Sequence, residues 1–350
     1  MDSTKSAVSA VASAHQRRSP RAPWAFLRPF AAPLVKRLEA RVRPAIAVFI
    51  STVVDFRGKA APAVEQAIRS LVPRLRRPFS NTANAEVFYR HRLPIRITHW
   101  VNALCILFLL GSGLNIFNAH PQLYWGKYGA DADKPFFSIG SHDAAGGTHG
   151  YAQFGQWRID TTGVLGWSKT DGEYDARAWP DWMTIPSFQD LADARHWHFL
   201  FAWLLVINGS VYLTWGVVSR HLKRDIVPTA ADVRAIPSSI VEHVKLKHPT
   251  GAAAERYNPL QRFAYLGVIF LITLMVLTGL TMSPGFDAVC PWLLDIFGGR
   301  QSARSIHFIS ASLIVLFVVV HLVEVVHAGA INEVRSMLTG RYVVPEEHKS

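Results

Sequence analysis

Cysteine is nearly absent from this chain: its 350 residues contain two, Cys105 inside an apolar run and Cys290 outside one. Two cysteines cannot form a disulfide framework, which excludes the small secreted domains that depend on one. The sequence also lacks a Cys-x-x-Cys-His motif, which excludes a covalently attached porphyrin. Any porphyrin here would therefore be held without thioether links.

Acidic residues are also scarce, because 25 Asp and Glu stand against 37 Lys and Arg and leave a net charge of +12. Such a charge is typical of proteins that bind nucleic acid or anionic lipid. Half of the residues are hydrophobic and eleven are tryptophan, which is typical of a membrane protein with sizeable soluble segments. Because 18 of the basic residues precede residue 97, we predict contact with membrane lipid and none with nucleic acid.

Residues 1–85 are rich in Ala, Arg and Pro and show no sustained hydrophobic period. Their one apolar patch, residues 45–54, is shorter than the roughly 20 residues that a membrane helix needs. Many charges precede that patch, so a secretory signal peptide is a poor match. The sequence predicts a basic, partly disordered cytoplasmic extension that touches anionic lipid. The alternative is a start codon placed too early, which would leave the rest unchanged.

The remainder, residues 86–342, contains apolar runs long enough to cross a bilayer. We predict spans at about 97–117, 196–218, 263–282 and 306–326. The predicted fold class is therefore an all-α membrane protein, a four-transmembrane-helix bundle with a long periplasmic loop and the basic N-terminal extension.

Charge predicts the orientation of this bundle. Four spans place both termini on one side, and the loop 219–262 on that side has eight basic and four acidic residues. The segment 118–194 has ten acidic and five basic residues. The positive-inside rule therefore places both termini in the cytoplasm and segment 118–194 in the periplasm. Tryptophans near the span ends fit interfacial anchors: Trp100, Trp125, Trp197 and Trp292.

The last span carries His307 and His321, fourteen residues apart. At 100° and 1.5 Å per residue, both lie on one face of a helix, about 21 Å apart along its axis. With the predicted orientation, His99 lies at the depth of His321, and His198 lies at the depth of His307. The sequence thus predicts two histidine pairs near opposite membrane surfaces.

Two facing imidazoles can ligate a haem iron axially, and a planar macrocycle suits the interior of a helical bundle. A zinc site would need four ligands at each level, which the spans do not supply. A non-haem iron site would need carboxylates, and Glu324 alone is too few. We therefore predict two non-covalent b-type haems, with His99, His321, His198 and His307 as the iron ligands.

An arginine precedes three of these histidines by three residues, and residues at this spacing share a helix face. Each could pair with a haem propionate, or could be an ordinary interfacial arginine; the residues are Arg96, Arg195 and Arg304. His196 competes with His198, but lies about 200° away on the helix and lacks the Arg-x-x-His spacing. Histidines in predicted loops, among them His91 and His221, are expected to be solvated.

Residues 89–342 resemble the bacterial di-haem cytochrome b subunits of the cytochrome b561, Ni-hydrogenase and formate dehydrogenase superfamily, most of all the thiosulfate reductase cytochrome b subunit-like branch. The motifs that carry this resemblance are Arg96-Ile-Thr-His99-Trp, Gly113-Leu-Asn-Ile-Phe-Asn-Ala-His-Pro, Arg195-His-Trp-His198-Phe, Thr278-Gly-Leu-Thr-Met-Ser-Pro-Gly, Gly298-Gly-Arg-Gln-Ser-Ala-Arg-Ser-Ile-His307-Phe and His321. The resemblance implies the same two haems and ligands, a bacterial inner membrane and a periplasmic, molybdopterin-containing oxidoreductase as partner. It does not cover the first 85 residues.

These observations predict an electron-transfer subunit between the quinone pool and that partner. Candidates for quinone contact are Arg96, Asn102, Glu324 and residues 257–262. Two alternatives remain open. One is a self-contained membrane oxidoreductase acting on a small acceptor such as superoxide or ferric iron; the other is a haem-free transporter or scaffold.

Overall fold

A computed structural model describes residues 87–129, 133–170, 172–244 and 257–343, so the predicted extension 1–85 lies outside the described residues. The elements, in chain order, are β1 (Val87–Tyr89), α1 (Leu93–Asn118), β2 (Gln122–Leu123), β3 (Phe137–Ala144), β4 (Gly147–Phe154), β5 (Trp157–Asp160), β6 (Ser168–Thr170), β7 (Glu173–Asp175), α2 (Leu191–Val218), α3 (Ala230–Val244), α4 (Pro259–Thr281), α5 (Pro284–Val289), α6 (Pro291–Ile296), α7 (Arg300–His327), α8 (Ala330–Thr339) and β8 (Arg341–Val343).

Helices α1, α2, α4 and α7 are long and apolar enough to cross a membrane, which confirms the predicted fold class. Local chemistry fixes where they begin. The Asp190 carboxylate accepts hydrogen bonds from the first free amides of α2, and Asn258 forms a capping box with Gln261 at the start of α4. Helix α7 begins at Arg300, six residues before the predicted span, because helical geometry continues into the polar turn that precedes the apolar run.

The long helices pack most extensively as two hairpins, α1 against α2 and α4 against α7. In the first hairpin the ring of Phe108 stacks on Phe201, with centroids 4.0 Å apart, and on Trp197. Further along it, the Asn208 amide donates to the Thr98 carbonyl at 2.9 Å and to the Asn102 side chain at 2.7 Å. These contacts fix the two helices against each other along their length.

The segment between α1 and α2 contains strands that the sequence analysis did not predict. Strands β2 to β5 form an antiparallel sheet in chain order, and β6 pairs with β7. The two-residue turn Ala145-Gly146 joins β3 to β4, and both Gly146 and Gly147, the first residue of β4, have positive φ. The sheet packs through Leu123 and Ile139 on Phe117 of α1 and Phe308 of α7. We call this end of the bundle the sheet end.

The loop between β2 and β3 holds the beginning of α7. The Gly126 amide donates to Ser302 at 2.7 Å, and the Ser305 hydroxyl donates to the Tyr124 carbonyl at 2.6 Å. Gly299 has a φ of +114°, and a Cβ there would lie 2.6 Å from the Gly126 carbonyl oxygen. Glycine is therefore required where the backbones of residues 299 and 126 meet. This contact sets the position of α7 on the sheet.

The opposite end, which we call the tail end, is closed by α8 and by β1 paired antiparallel with β8. Arg90 forms an ion pair with Glu333 of α8 at 3.1 Å and lies over the Tyr342 ring, 4.6 Å from its centroid. These contacts join the segment before α1 to the segment after α7. The chain therefore enters and leaves the bundle at the same place.

Candidate functional site

The bundle brings four histidines together as two pairs. The imidazole centroids of His99 and His321 lie 6.3 Å apart, and those of His198 and His307 lie 6.2 Å apart. The second pair lies at the sheet end and the first toward the tail end. Since His307 and His321 are fourteen residues apart on α7, the pairs are separated by about 21 Å along that helix.

These separations suit one metal ion between each pair of rings. A metal–imidazole bond of about 2.0–2.1 Å, added to a ring radius of roughly 1.1 Å, puts two rings on opposite sides of one ion about 6 Å apart. Among the residues that the structure describes, no group of three or more His, Cys, Asp or Glu could hold a metal ion. Each pair offers two imidazoles, and a haem would need no more from the protein because its porphyrin would supply the other four iron ligands.

The two pairs differ in their surroundings. At the sheet end, Nδ1 of His198 lies 3.1 Å from the Ser112 hydroxyl, and Nδ1 of His307 lies 3.0 Å from the Thr278 hydroxyl. Toward the tail end, the ring of His321 stacks on Phe317. Nδ1 of His99 is buried there, with no hydrogen-bond partner among the described residues.

The three predicted arginines have protein partners. Arg96 donates to the carbonyls of Met337 and Leu338 at the end of α8, where the helix leaves its last carbonyls free. Arg304 donates to the His120 carbonyl. Arg195 is exposed, with its guanidinium 5.7 Å from the centroid of Phe199. Their predicted contact with haem propionates remains a prediction.

The structure separates His196 from His198. The side chain of His196 is 81% exposed and lies 3.9 Å from Asp193, whereas His198 faces His307. The expectation that His91 and His221 are solvated is wrong, because both are buried. Burial, with the nearby Arg90 charge next in weight, lowers the pKa of His91 to about 4.

The residues suggested for quinone contact lie toward the tail end. Tyr257 is in the loop before α4, and its ring meets that of Tyr265 with centroids 5.2 Å apart. Burial raises the pKa of Tyr257. Arg262 pairs with Asp232 at 3.4 Å, and Asn102 accepts from Asn208. The sequence patterns did not reveal that Arg262 and Asn102 have hydrogen-bond or ion-pair partners within the protein.

The model of the prokaryotic cytochrome b561 family matches residues 90–340, which include both histidine pairs. The chain belongs to this family. This match confirms the predicted resemblance. As a member of the family, the chain is a membrane-bound b-type cytochrome, and its paired imidazoles fit the non-covalent haem of that family.

Two relatives of this cytochrome are subunits of oxidoreductases. A putative protein-methionine-sulfoxide reductase subunit, YedZ1, of Azospira oryzae is 29% identical over 242 residues, which cover 69% of this chain and 91% of the relative. A probable Ni/Fe-hydrogenase B-type cytochrome subunit of Cupriavidus necator is 23% identical over 266 residues, covering 72% of this chain and 85% of the relative.

Proposed function

We propose that this chain is a di-haem electron-transfer subunit that links the quinone pool to a partner oxidoreductase. The observation that carries the proposal is the presence of two imidazole pairs, with centroids 6.3 and 6.2 Å apart, at two levels of one four-helix membrane bundle. His99 with His321, and His198 with His307, would hold the irons. When bound, each haem supplies a one-electron carrier.

The chain's own residues would isolate the two centres from water and hold them apart. Helix α7 provides one ligand to each centre, so its rigidity fixes the spacing. The apolar faces of the four helices keep the space between the pairs at low dielectric.

The partner would bind at the sheet end. Segment 118–194 has ten acidic and five basic residues, and much of it is folded into strands rather than left as a linker. Both relatives are named as subunits of oxidoreductases, which supports a partner enzyme. We infer a periplasmic, molybdopterin-containing oxidoreductase, an inner-membrane location with cytoplasmic termini, and quinone exchange near the tail end.

The test begins with the full chain purified from membranes in mild detergent. We expect two b-type haems per chain in a pyridine haemochrome assay, haem reduction by added quinol, and co-purification of a periplasmic oxidoreductase. A colourless protein after expression with ample porphyrin supply would overturn the proposal. Reduction of superoxide or ferric iron by the isolated chain, with no partner recovered, would instead favour a self-contained oxidoreductase.

A further inference from the structure

Two buried hydroxyls hold the imidazoles of the sheet-end pair, one from each helical hairpin. Ser112 of α1 lies against His198 of α2, and Thr278 of α4 lies against His307 of α7. Both Ser112 and Thr278 are fully buried. The backbone carbonyls of Leu109 and Met275 also accept from these two imidazoles, so each ring has a carbonyl beside its hydroxyl.

The hydrogen-bond pattern decides which atom donates in each contact. The Ser112 hydroxyl lies 2.6 Å from the Phe108 carbonyl oxygen, and the Thr278 hydroxyl lies 2.7 Å from that of Leu274. A carbonyl oxygen can only accept, so each hydroxyl gives its single proton to the carbonyl four residues earlier. The proton in each imidazole contact must then belong to Nδ1, which leaves Nε2 with a free lone pair.

A glycine follows each hydroxyl residue and receives the same ring. A Cβ on Gly113 would lie 3.4 Å from Cε1 of His198, and a Cβ on Gly279 would lie 3.5 Å from Cε1 of His307. The sequence repeats with the geometry, as Ser112-Gly113-Leu114 in α1 and Thr278-Gly279-Leu280 in α4. Two helices thus present equivalent hydroxyl–glycine cradles to the two imidazoles of one pair.

The other pair has no such cradle among the described residues, since Nδ1 of His99 is buried without a hydrogen-bond partner. The hydroxyl of Thr98, beside His99, donates to the carbonyls of Pro94 at 2.8 Å and Ile95 at 3.2 Å. The difference between the two centres therefore lies in the hydroxyl contacts to the imidazoles and not in the presence of a buried hydroxyl.

We propose that Ser112 and Thr278 are positioning residues that set the tautomer and raise the basicity of both ligands of the sheet-end haem. This inference rests on the proposed function, because it assumes that His198 and His307 ligate iron. A ligating imidazole that donates its other N–H is a stronger ligand and is fixed in orientation. A more basic ligand pair favours ferric over ferrous iron, so the two hydroxyls lower the potential of this haem alone.

The test compares Thr278→Val with Thr278→Ser in the full-length, haem-loaded chain, and adds Ser112→Ala. The sheet-end component of a redox titration is the one that disappears in His307→Ala. We expect Thr278→Val and Ser112→Ala to raise the potential of that component, leave the other unmoved, and weaken haem retention at this site about tenfold or more. Thr278→Ser keeps the hydroxyl and should behave as the unmodified chain.

Thr98→Val and Thr273→Val are matched controls, because each removes a hydroxyl that donates to a carbonyl four residues earlier without contacting an imidazole. An unmoved sheet-end potential in a haem-loaded Thr278→Val, Ser112→Ala double variant would overturn the proposal. The double variant could also bind no haem at the sheet end. In that case, loss of this haem from Thr278→Ser as well would overturn the proposal, and its retention in Thr278→Ser would support the proposal. Failure of the proposed function would be distinct, as an unmodified chain without b-type haem.

Discussion

The chemistry of the four candidate ligands depends on which helix provides each partner. His307 and His321 share one face of α7, but their partners come from different helices, His198 from α2 and His99 from α1. Each centre therefore depends on contact between helices that are distant in the chain. Removing one imidazole should affect one centre and leave the other in place.

We expect His198→Ala and His307→Ala each to lose the sheet-end haem, and His99→Ala and His321→Ala each to lose the other. The physical reason is that an iron with one axial protein ligand is held too weakly to survive purification. The measurement is haem content together with reduced-minus-oxidised spectra, and His196→Ala is the control because that side chain is exposed. Losses shared between the two pairs would show that the ligand assignment is wrong.

His91 is a residue whose buried position carries a cost at low pH. It lies just before α1, and burial lowers its pKa from 6.5 to about 4 in the folded chain. In the unfolded chain its pKa returns to about 6.5. Below pH 6.5 His91 binds a proton in the unfolded state but stays neutral in the folded state. The free energy of unfolding therefore falls as pH drops from 6.5 toward 4.

The loss attributable to His91 by pH 4 should be about 3 kcal/mol, from the difference between the two pKa values. We expect His91→Leu to lose less stability than the unmodified chain over this range. The measurement is the unfolding midpoint in detergent at several pH values, with His196→Leu as the exposed control. Parallel pH profiles for His91→Leu and the unmodified chain would contradict this assignment.

At the scale of elements, α7 depends on a loop that belongs to another part of the chain. Residues 124–127 hold its first turns through Ser302 and Ser305, and Gly299 allows the backbones to meet. His307 follows within two turns. The position of one candidate ligand is thus set by loop contacts rather than by the apolar span.

Gly299→Ala should therefore destabilise the sheet end by about 2 kcal/mol or more, because alanine is strained at positive φ and its Cβ would meet the Gly126 carbonyl. The readouts are the thermal unfolding midpoint and retention of the sheet-end haem. Gly285→Ala is the control, since a Cβ there has open space and α5 has ordinary helical geometry. Equal unfolding midpoints for the two variants would contradict the proposed role of Gly299 in holding the beginning of α7.

At the scale of the whole molecule, charge is distributed unevenly along the chain. Eighteen of the 37 basic residues precede residue 97, and the segment between α1 and α2 has an acidic surplus. Membrane insertion retains loops rich in Lys and Arg on the cytoplasmic side. The sheet end should therefore face the periplasm.

Fusions to reporter enzymes would measure this orientation. Alkaline phosphatase inserted in the β3–β4 turn should be active, because the enzyme functions only after export, whereas a fluorescent protein fused at the C-terminus should fluoresce in the cytoplasm. Insertion of the phosphatase between residues 245 and 256 is the control, and it should be inactive. The reverse pattern would invert the proposed topology and move the partner to the cytoplasm.

The sequence alone determined the number of membrane helices and which histidines share a level. Both depend on local quantities: the length of an apolar run, 1.5 Å of rise per residue and the charge of the loops. Asn258 and Pro259 also identify the beginning of α4 locally. The strands after α1 were missed because their apolar residues are few, although the glycines at the β3–β4 turn, Gly146 and Gly147, are a turn signal.

Only the tertiary structure decided what surrounds each imidazole. Ser112 and His198 are 86 residues apart, and Thr278 and His307 are 29 apart, so no local pattern predicts that they meet. The same holds for the burial of His91 and for the carbonyls that Arg96 and Arg304 contact. Hydropathy describes whether a side chain favours an apolar or an aqueous environment. Its hydrogen-bond partner depends instead on the packing of helices that come together only in the folded chain.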